Sequence, residues 1–249
     1  MVPGISTSPT ATLQVMNLAA VELEPDLWLS EKLGKPAFNL RRGFEEFSLN
    51  LLTCSPNFVS AKVPTAEHTA HLHLQQKGFQ VIDVSLQYQG KPKLFELSEA
   101  DYSVRLATNS DETAVCEIAS EEFLLNRFHQ DPRIPISVAK KIKQDWVANY
   151  FRGHRGDLLL VVTFQDEICG FLLLITQGNR FVIDLIAVKS RFRQRGVAKH
   201  LISYAWQHHR KSAQEIHVGT QISNKGSMLL YSKMDLKLSA TNYLLHLHQ

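Results

Sequence analysis

The chain has 249 residues, 44% of them hydrophobic and 20% charged, which allows a sizeable core and excludes a disordered protein. Its formal net charge of +3 is too slight to mark a nucleic-acid binder by itself. Three cysteines, Cys54, Cys116 and Cys169, stand at no metal-ligand spacing, so ordinary thiols in a reduced, cytoplasmic setting are expected. No basic start with a long apolar run marks a signal peptide, and no apolar run is long enough to span a bilayer.

In chain order, "TLQVMNL" reads as a first strand and "LEPDLWLSEKLGKPAFNL" as a short helix with an ordered loop. "NFVSAKVP" alternates as a strand. "TAEHTAHLHLQQKGF" puts Ala66, Ala70 and Leu74 at helical spacing, with Gly78 just past the end. "QVIDVSLQYQGKPK" follows as a strand, and "FELSEAD" as a connector. The connector divides the chain into a small α/β unit, residues 1–100, and a second unit, 101–249.

The second unit opens with a strand near "YSVRLA" and a helix, "SDETAVCEIASEEFL", capped by Ser110. "LNRFHQDPRIP" reads as a loop and "ISVAKKIKQDWVANYFRG" as a second helix. Three strands follow, "DLLLVVTF", "EICGFLLLITQ" and "RFVIDLIAV", then a basic loop. A helix over 196–210, the strand "EIHVGTQ", a helix over 224–233 and the strand "LKLSATNYLLHLH" complete the order. That order predicts an α/β class, a mixed sheet flanked by helices. "AEHTAHLHLQQKGFQVIDVSLQY" and "SNKGSMLLYSKMDLKLSATNYLL" share one pattern, with Ala70 matching Ser227, Leu74 matching Tyr231, and Gly78-Phe79 matching Asp235-Leu236. This is either a degenerate half-copy or the common look of a helix–turn–strand pair.

The basic loop carries the chemistry. Lys189, Arg191, Arg193 and Arg195 sit between a buried strand and a helix, and such a set fits either a nucleic-acid backbone or the phosphates of one ligand. At the strand-to-helix turn several backbone N–H groups lack an intrahelical partner, and the helix dipole adds positive charge. Gly196 lets a ligand approach the backbone, and Ala198 is small. The arrangement suits a pyrophosphate, although it is neither a Walker loop nor a three-glycine dinucleotide fingerprint. An RNA module needs stacking aromatics among the cations, and only Phe192 qualifies.

Arg193-Gln194-Arg195-Gly196-Val197-Ala198 resembles the R/Q-x-x-G-x-G/A signature of the GCN5-related N-acetyltransferase (GNAT) superfamily, and Asn224, Ser227 and Tyr231 resemble that superfamily's next helix. The family's Gly-Phe turn is replaced by Asp235-Leu236, where an Asp tolerates a left-handed conformation. The resemblance implies a GNAT fold, acetyl-CoA as cofactor, a pyrophosphate cradle at 193–198, and contacts from Ile186, Ala187, Val188, Asn224 and Ser227. It also implies Tyr231 as the acid that protonates the leaving thiolate. The stretch after His217, the segment "NRFHQDPRIP" and residues 55–88 further resemble the TDP-fucosamine acetyltransferases. Those enzymes imply a sugar-nucleotide acceptor, a dTDP-4-amino-4,6-dideoxyhexose used for surface polysaccharide.

Arg127, His129 and Asp131 are expected either to contact that acceptor or to be a solvated polar loop. Asp184 is either a proton acceptor for the amine or a paired carboxylate. Trp146 and Tyr150 read as core. "HTAHLH" and "LHLH" invite a metal reading, but no acid or cysteine cluster accompanies them. No metal, nucleic acid or membrane span is expected, and a homodimer is left open. Acetylation of another amine, and a non-catalytic binding module, are the alternatives.

Overall fold

Eleven strands form one sheet in the computed structural model, which describes residues 16–18, 20–52, 55–96, 102–210 and 213–249. The first hundred residues give β1 (Met16–Leu18), β2 (Val21–Pro25), β3 (Ala37–Arg42), β4 (Phe58–Pro64) and β5 (Gln80–Gly90). The rest give β6 (Tyr102–Leu106), β7 (Leu158–Phe164), β8 (Glu167–Gln177), β9 (Arg180–Val188), β10 (Glu215–Gln221) and β11 (Lys237–His248). Their order is β1-β2-β3-β4-β11-β5-β10-β9-β8-β7-β6. Only β3–β4 and β9–β10 pair in parallel; the other neighbours are antiparallel. Of the expected connector, 95–101, residues 97–101 lie outside the described residues.

Seven helices cover the sheet: α1 (Leu27–Leu33), α2 (His68–Gln76), α3 (Glu112–Glu122), α4 (Arg127–Gln130), α5 (Ile136–Phe151), α6 (Val197–His209) and α7 (Lys225–Lys233). In β7 and β8 the apolar run is continuous because both faces are buried. Leu159, Val161, Phe171 and Leu173 pack under α3 and α5, while Leu160, Val162, Leu172 and Leu174 pack on the other face with α6. Leu29, Ala37, Phe58, Phe128, Ile134 and Ile142 form a smaller cluster that joins the first hundred residues to α4 and α5.

Three local expectations are corrected. "PAFNLRR" is the strand β3, not a loop, since Phe38 and Leu40 alternate into the core. The expected loop 125–135 holds the short helix α4, because Asn126 Oδ1 accepts from the N–H groups of Phe128 (2.9 Å) and His129 (3.3 Å). The cap ahead of α3 belongs to Thr108 and Asp111, not Ser110: Asp111 accepts from Thr108 N–H (2.7 Å) and from both terminal nitrogens of Arg105.

The sequence echo has a geometric counterpart. Glu67 and Asn224 precede their helices with nearly the same backbone angles (φ −88°, ψ 72° and φ −91°, ψ 72°). Phe79 N–H donates to Leu74 C=O as Leu236 N–H donates to Tyr231 C=O, both at 3.1 Å. Gly78 (φ 94°) and Asp235 (φ 60°) make the same left-handed turn. Thus β4–α2–β5 and β10–α7–β11 share these two turns, while their last strands lie across from one another: β11 lies against β4 and β5 against β10.

Candidate active site

The site begins where the sheet opens. Strands β9 and β10 pair only from Arg180↔Glu215 to Ile183↔Val218, although β9 runs on to Val188 and β10 to Gln221. A bulge against β8 falls at Asp184, between the Leu173↔Leu185 and Leu174↔Ile183 pairs. Lys189 N–H donates to Cys169 C=O (2.8 Å), and antiparallel alternation from there gives the amides of Ala187 and Leu185 to β8. The amides of Ile186 and Val188 therefore face the opening. Ala187, expected beside them, instead directs its backbone to β8 and its side chain under α3.

Beyond Val188 the chain turns into α6 through Gln194 (φ 64°) and Gly196 (φ 88°), both left-handed. Gly196 is the N-cap and supplies no side-chain acceptor, so the first amides of α6, at Val197, Ala198 and Lys199, are available to an anion. Three of the loop's four cations are paired with acids. Lys189 (2.7 Å) and Arg191 both pair with Glu167, and Arg193 reaches Glu122 (2.5 Å) and Val188 C=O (3.0 Å). Glu122 also accepts from Ser190 N–H (2.8 Å). These acids hold the loop in shape, while Arg195 has no ion pair among the described residues and lies 5.9 Å from the Phe192 ring centre. An amide cradle next to a parted sheet fits a long thiol cofactor that carries a pyrophosphate.

Helix α7 closes one face of the opening. Asn224 is its N-cap, with Oδ1 accepting from Ser227 N–H (3.1 Å), so its side chain is engaged at the helix end. Tyr231, two turns on, is 2% exposed and packs 5.6 Å from Tyr88, a residue of β5. Burial raises the phenol above its ordinary range, opposed by a hydrogen bond with Ser227, so it keeps its proton at neutral pH.

The opposite face presents α5. Asp184 accepts from Arg155 Nη2 (2.6 Å), Arg155 Nε (2.7 Å) and Trp146 Nε1 (3.0 Å), so both its oxygens are engaged. The carboxylate fixes Trp146 and Arg155 at the edge of the opening. Trp146 is half-buried and packs against two of the core clusters, in keeping with the core reading, with the Arg155 guanidinium 4.7 Å from its ring centre. Lys143 sits on the same ring and was not singled out by any spacing in the sequence. Arg127 and His129 lie on α4 beside it; burial lowers both from their ordinary values.

Asp131 has another role than acceptor contact. Its side chain is wholly enclosed, and Oδ2 accepts from His246 Nδ1 and His248 Nε2, each at 2.7 Å. The acid missing beside "LHLH" in the sequence is thus supplied across the fold. The three residues are a metal-capable group among those described, with ligand atoms within 4.8 Å. Lys35 donates to His248 Nδ1 (3.3 Å) and Arg133 lies 3.6 Å from Asp131, and these positive charges favour a hydrogen-bonded latch over a further cation. Burial alone raises Asp131, but the two imidazole donors hold it well below the usual carboxylate range, while burial keeps His246 neutral.

Cys116 and Cys169 are buried free thiols, raised by burial to about 11, which makes them poor nucleophiles. No helix among the described residues is long and apolar enough to cross a membrane.

Comparison with known proteins bears on this geometry. The acetyltransferase (GNAT) family model matches residues 113–235. The spore coat polysaccharide biosynthesis protein SpsD of Bacillus subtilis (strain 168) is 26% identical over 237 residues, covering 90% of this chain and 82% of its own. A GCN5-related N-acetyltransferase from Sphaerobacter thermophilus superposes with a TM-score of 0.62 at 14% identity, over 92% of this chain and 76% of its own. A functionally unknown conserved protein from Staphylococcus epidermidis superposes with a TM-score of 0.65 at 12% identity, over 92% and 91%. The segment that builds the parted strands, the amide cradle and the buried tyrosine belongs to the GNAT family of N-acetyltransferases, which take acetyl-CoA as acyl donor.

Proposed function

We propose that this enzyme acetylates the amino group of a nucleotide-linked amino-deoxy sugar, of the dTDP-4-amino-4,6-dideoxyhexose class, for surface polysaccharide. The observation that carries this reading is the unanswered charge on the α4–α5 face: Arg127 and Lys143 have no acid partner among the described residues, and Lys143 lies on the Trp146 ring beside the opening from which an amine must approach. A neutral amine needs no such lining, whereas a pyrophosphate-bearing one does. The match to a relative named for polysaccharide biosynthesis, running through 90% of the chain, supports the same class. The echo between the two β–α–β units supports reading residues 1–100 as a degenerate half-copy that walls the acceptor side. Leu74 stands there in the position of Tyr231, and the acids Glu45, Glu46 and Glu67 line its outer groove, which disfavours a second acetyl-CoA.

Acetyl-CoA, bound along the amides of Val197 and Ala198 and through the opening, supplies the acetyl group as a thioester. The N–H groups of Ile186 and Val188 are placed to donate hydrogen bonds to the carbonyl oxygen, where negative charge develops. Tyr231 gives its proton to the departing sulfur, and the amine proton leaves through solvent on the α5 face. Asp184 positions Trp146 and Arg155 for this encounter. The test is CoA release from a panel of nucleotide-linked amino sugars, free amino sugars and peptide amines. Turnover confined to the nucleotide-linked group is expected; equal or better turnover of free amino sugars or peptides sinks the reading.

A further inference from the structure

Lys143 faces the sheet from α5 with 9% of its surface exposed. Among the described residues no carboxylate comes within ion-pairing distance of it. Asp145, the acid nearest on its own helix, is taken by Lys32 and Lys141, both at 3.0 Å, and Asp184 is taken by Arg155. The ammonium instead lies 4.3 Å from the Trp146 ring centre and 5.3 Å from that of Phe123. Arg127 also lacks an acid partner among the described residues, and its guanidinium lies 4.6 Å from the Phe128 ring centre.

A third group is stranded nearby. Asn126 Oδ1 caps α4, so its Nδ2 is the donor toward His129 Nδ1 (2.7 Å). His129 Nδ1 is therefore an acceptor, and the proton of the neutral ring sits on Nε2, which is buried with no hydrogen-bond partner. A buried cation such as Lys143 and an orphaned donor are costly unless something answers them. Here they share one surroundings: the charge of Lys143 is felt at His129, and that of Arg127 at Lys143. Burial draws Lys143 down to about 8, helped by Arg127 and Arg155 and opposed by Asp184.

The place matters as much as the charge. Trp146 carries Lys143 on its ring and bonds through Nε1 to Asp184, the first residue of β9 beyond its pairing with β10. Lys143 is thus joined to the opening through the Trp146 ring, on the face opposite Tyr231. A transferred acetyl group meets its amine there, and the rest of the acceptor stays among these cations.

We infer that Lys143 and Arg127, with His129 Nε2–H as a third donor, form an anion subsite that takes the acceptor's phosphate groups, and that Lys143 sets the preference for a phosphorylated over a neutral amine. This rests on the nucleotide-linked acceptor proposed above. The test is calorimetric titration with dTDP in saturating CoA, which fills the 193–198 cradle beforehand. Wild type, Lys143→Gln and Arg127→Gln are compared, with Lys143→Arg keeping the charge. Each Gln variant is expected to bind dTDP at least tenfold more weakly, Lys143→Arg within a few-fold of wild type, and all four to bind CoA alike, which also shows that they are folded. If Lys143→Gln binds dTDP within twofold of wild type, the subsite is overturned while the proposed acceptor stands. If wild type binds CoA but no dTDP, the proposed acceptor class falls and the subsite with it. Displacement of dTDP by glutamate at equal concentration overturns the phosphate assignment in favour of a carboxylate.

Discussion

The proposed donor side can be tested at two residues. Gly196 holds φ at 88°, a conformation that costs an ordinary L-residue about 1–2 kcal/mol and a β-branched one more. Gly196→Val therefore strains the turn and also puts a side chain at the cradle. Acetyl-CoA affinity should fall at least tenfold by calorimetric titration, with the melting transition still cooperative; unchanged affinity removes the cradle from the site. Tyr231 is protonated because it is buried, and that suits a proton donor better than a base. Tyr231→Phe keeps the ring against Tyr88 and deletes only the proton, so binding survives and kcat drops by about 10²–10⁴. A kcat within a few-fold of wild type would assign the proton to water.

Elements carry the next level. The β9–loop–α6 turn was legible in the sequence because its signal is local: an apolar strand, cations, one glycine and an amphipathic helix in a single run. Lys143 was not, because only the packing of α5 beneath α3 decides that this lysine, and not Lys140 or Lys141, faces the sheet. The latch between Asp131 and β11 was equally hidden, its partners being far apart in the chain. That latch has a pH signature. Unfolded His246 takes a proton in the ordinary imidazole range, while the buried ring stays neutral to lower pH. The unfolded state then binds more protons, so stability falls as pH drops through this window, by at most about 1.4 kcal/mol per pH unit for one site. His246→Asn keeps a donor toward Asp131 and removes the titration. Its urea midpoint should fall less between pH 7 and pH 5 than that of wild type; an equal fall assigns the slope to other histidines such as His129 and His200, whose shifts run the same way.

Across the whole molecule, the exchange of β5 and β11 makes the two units one object. Strand β5 holds β10 along Ser85–Gly90, so the jaw of the opening that β9 has released is kept in place by residues from the first hundred. A protease site inserted between β5 and β6 should, after cleavage, leave two fragments that co-elute on size exclusion until denaturant is added; separation in native buffer would mean that the exchange is not what binds them. The sequence showed the two similar β–α–β patterns but not the exchange, since either pairing buries the same alternating faces. The position of β11 also bears on how the protein is made. Residues 237–248 form a central strand, so β4 and β5 wait as open edges while nearly all the chain before them is synthesised. Order of emergence from the ribosome and order of assembly cannot coincide, and the long β4–β11 separation slows closure further. A nascent chain stalled before Lys237 would present those two edges to chaperones and to other nascent chains until β11 fills the gap between them.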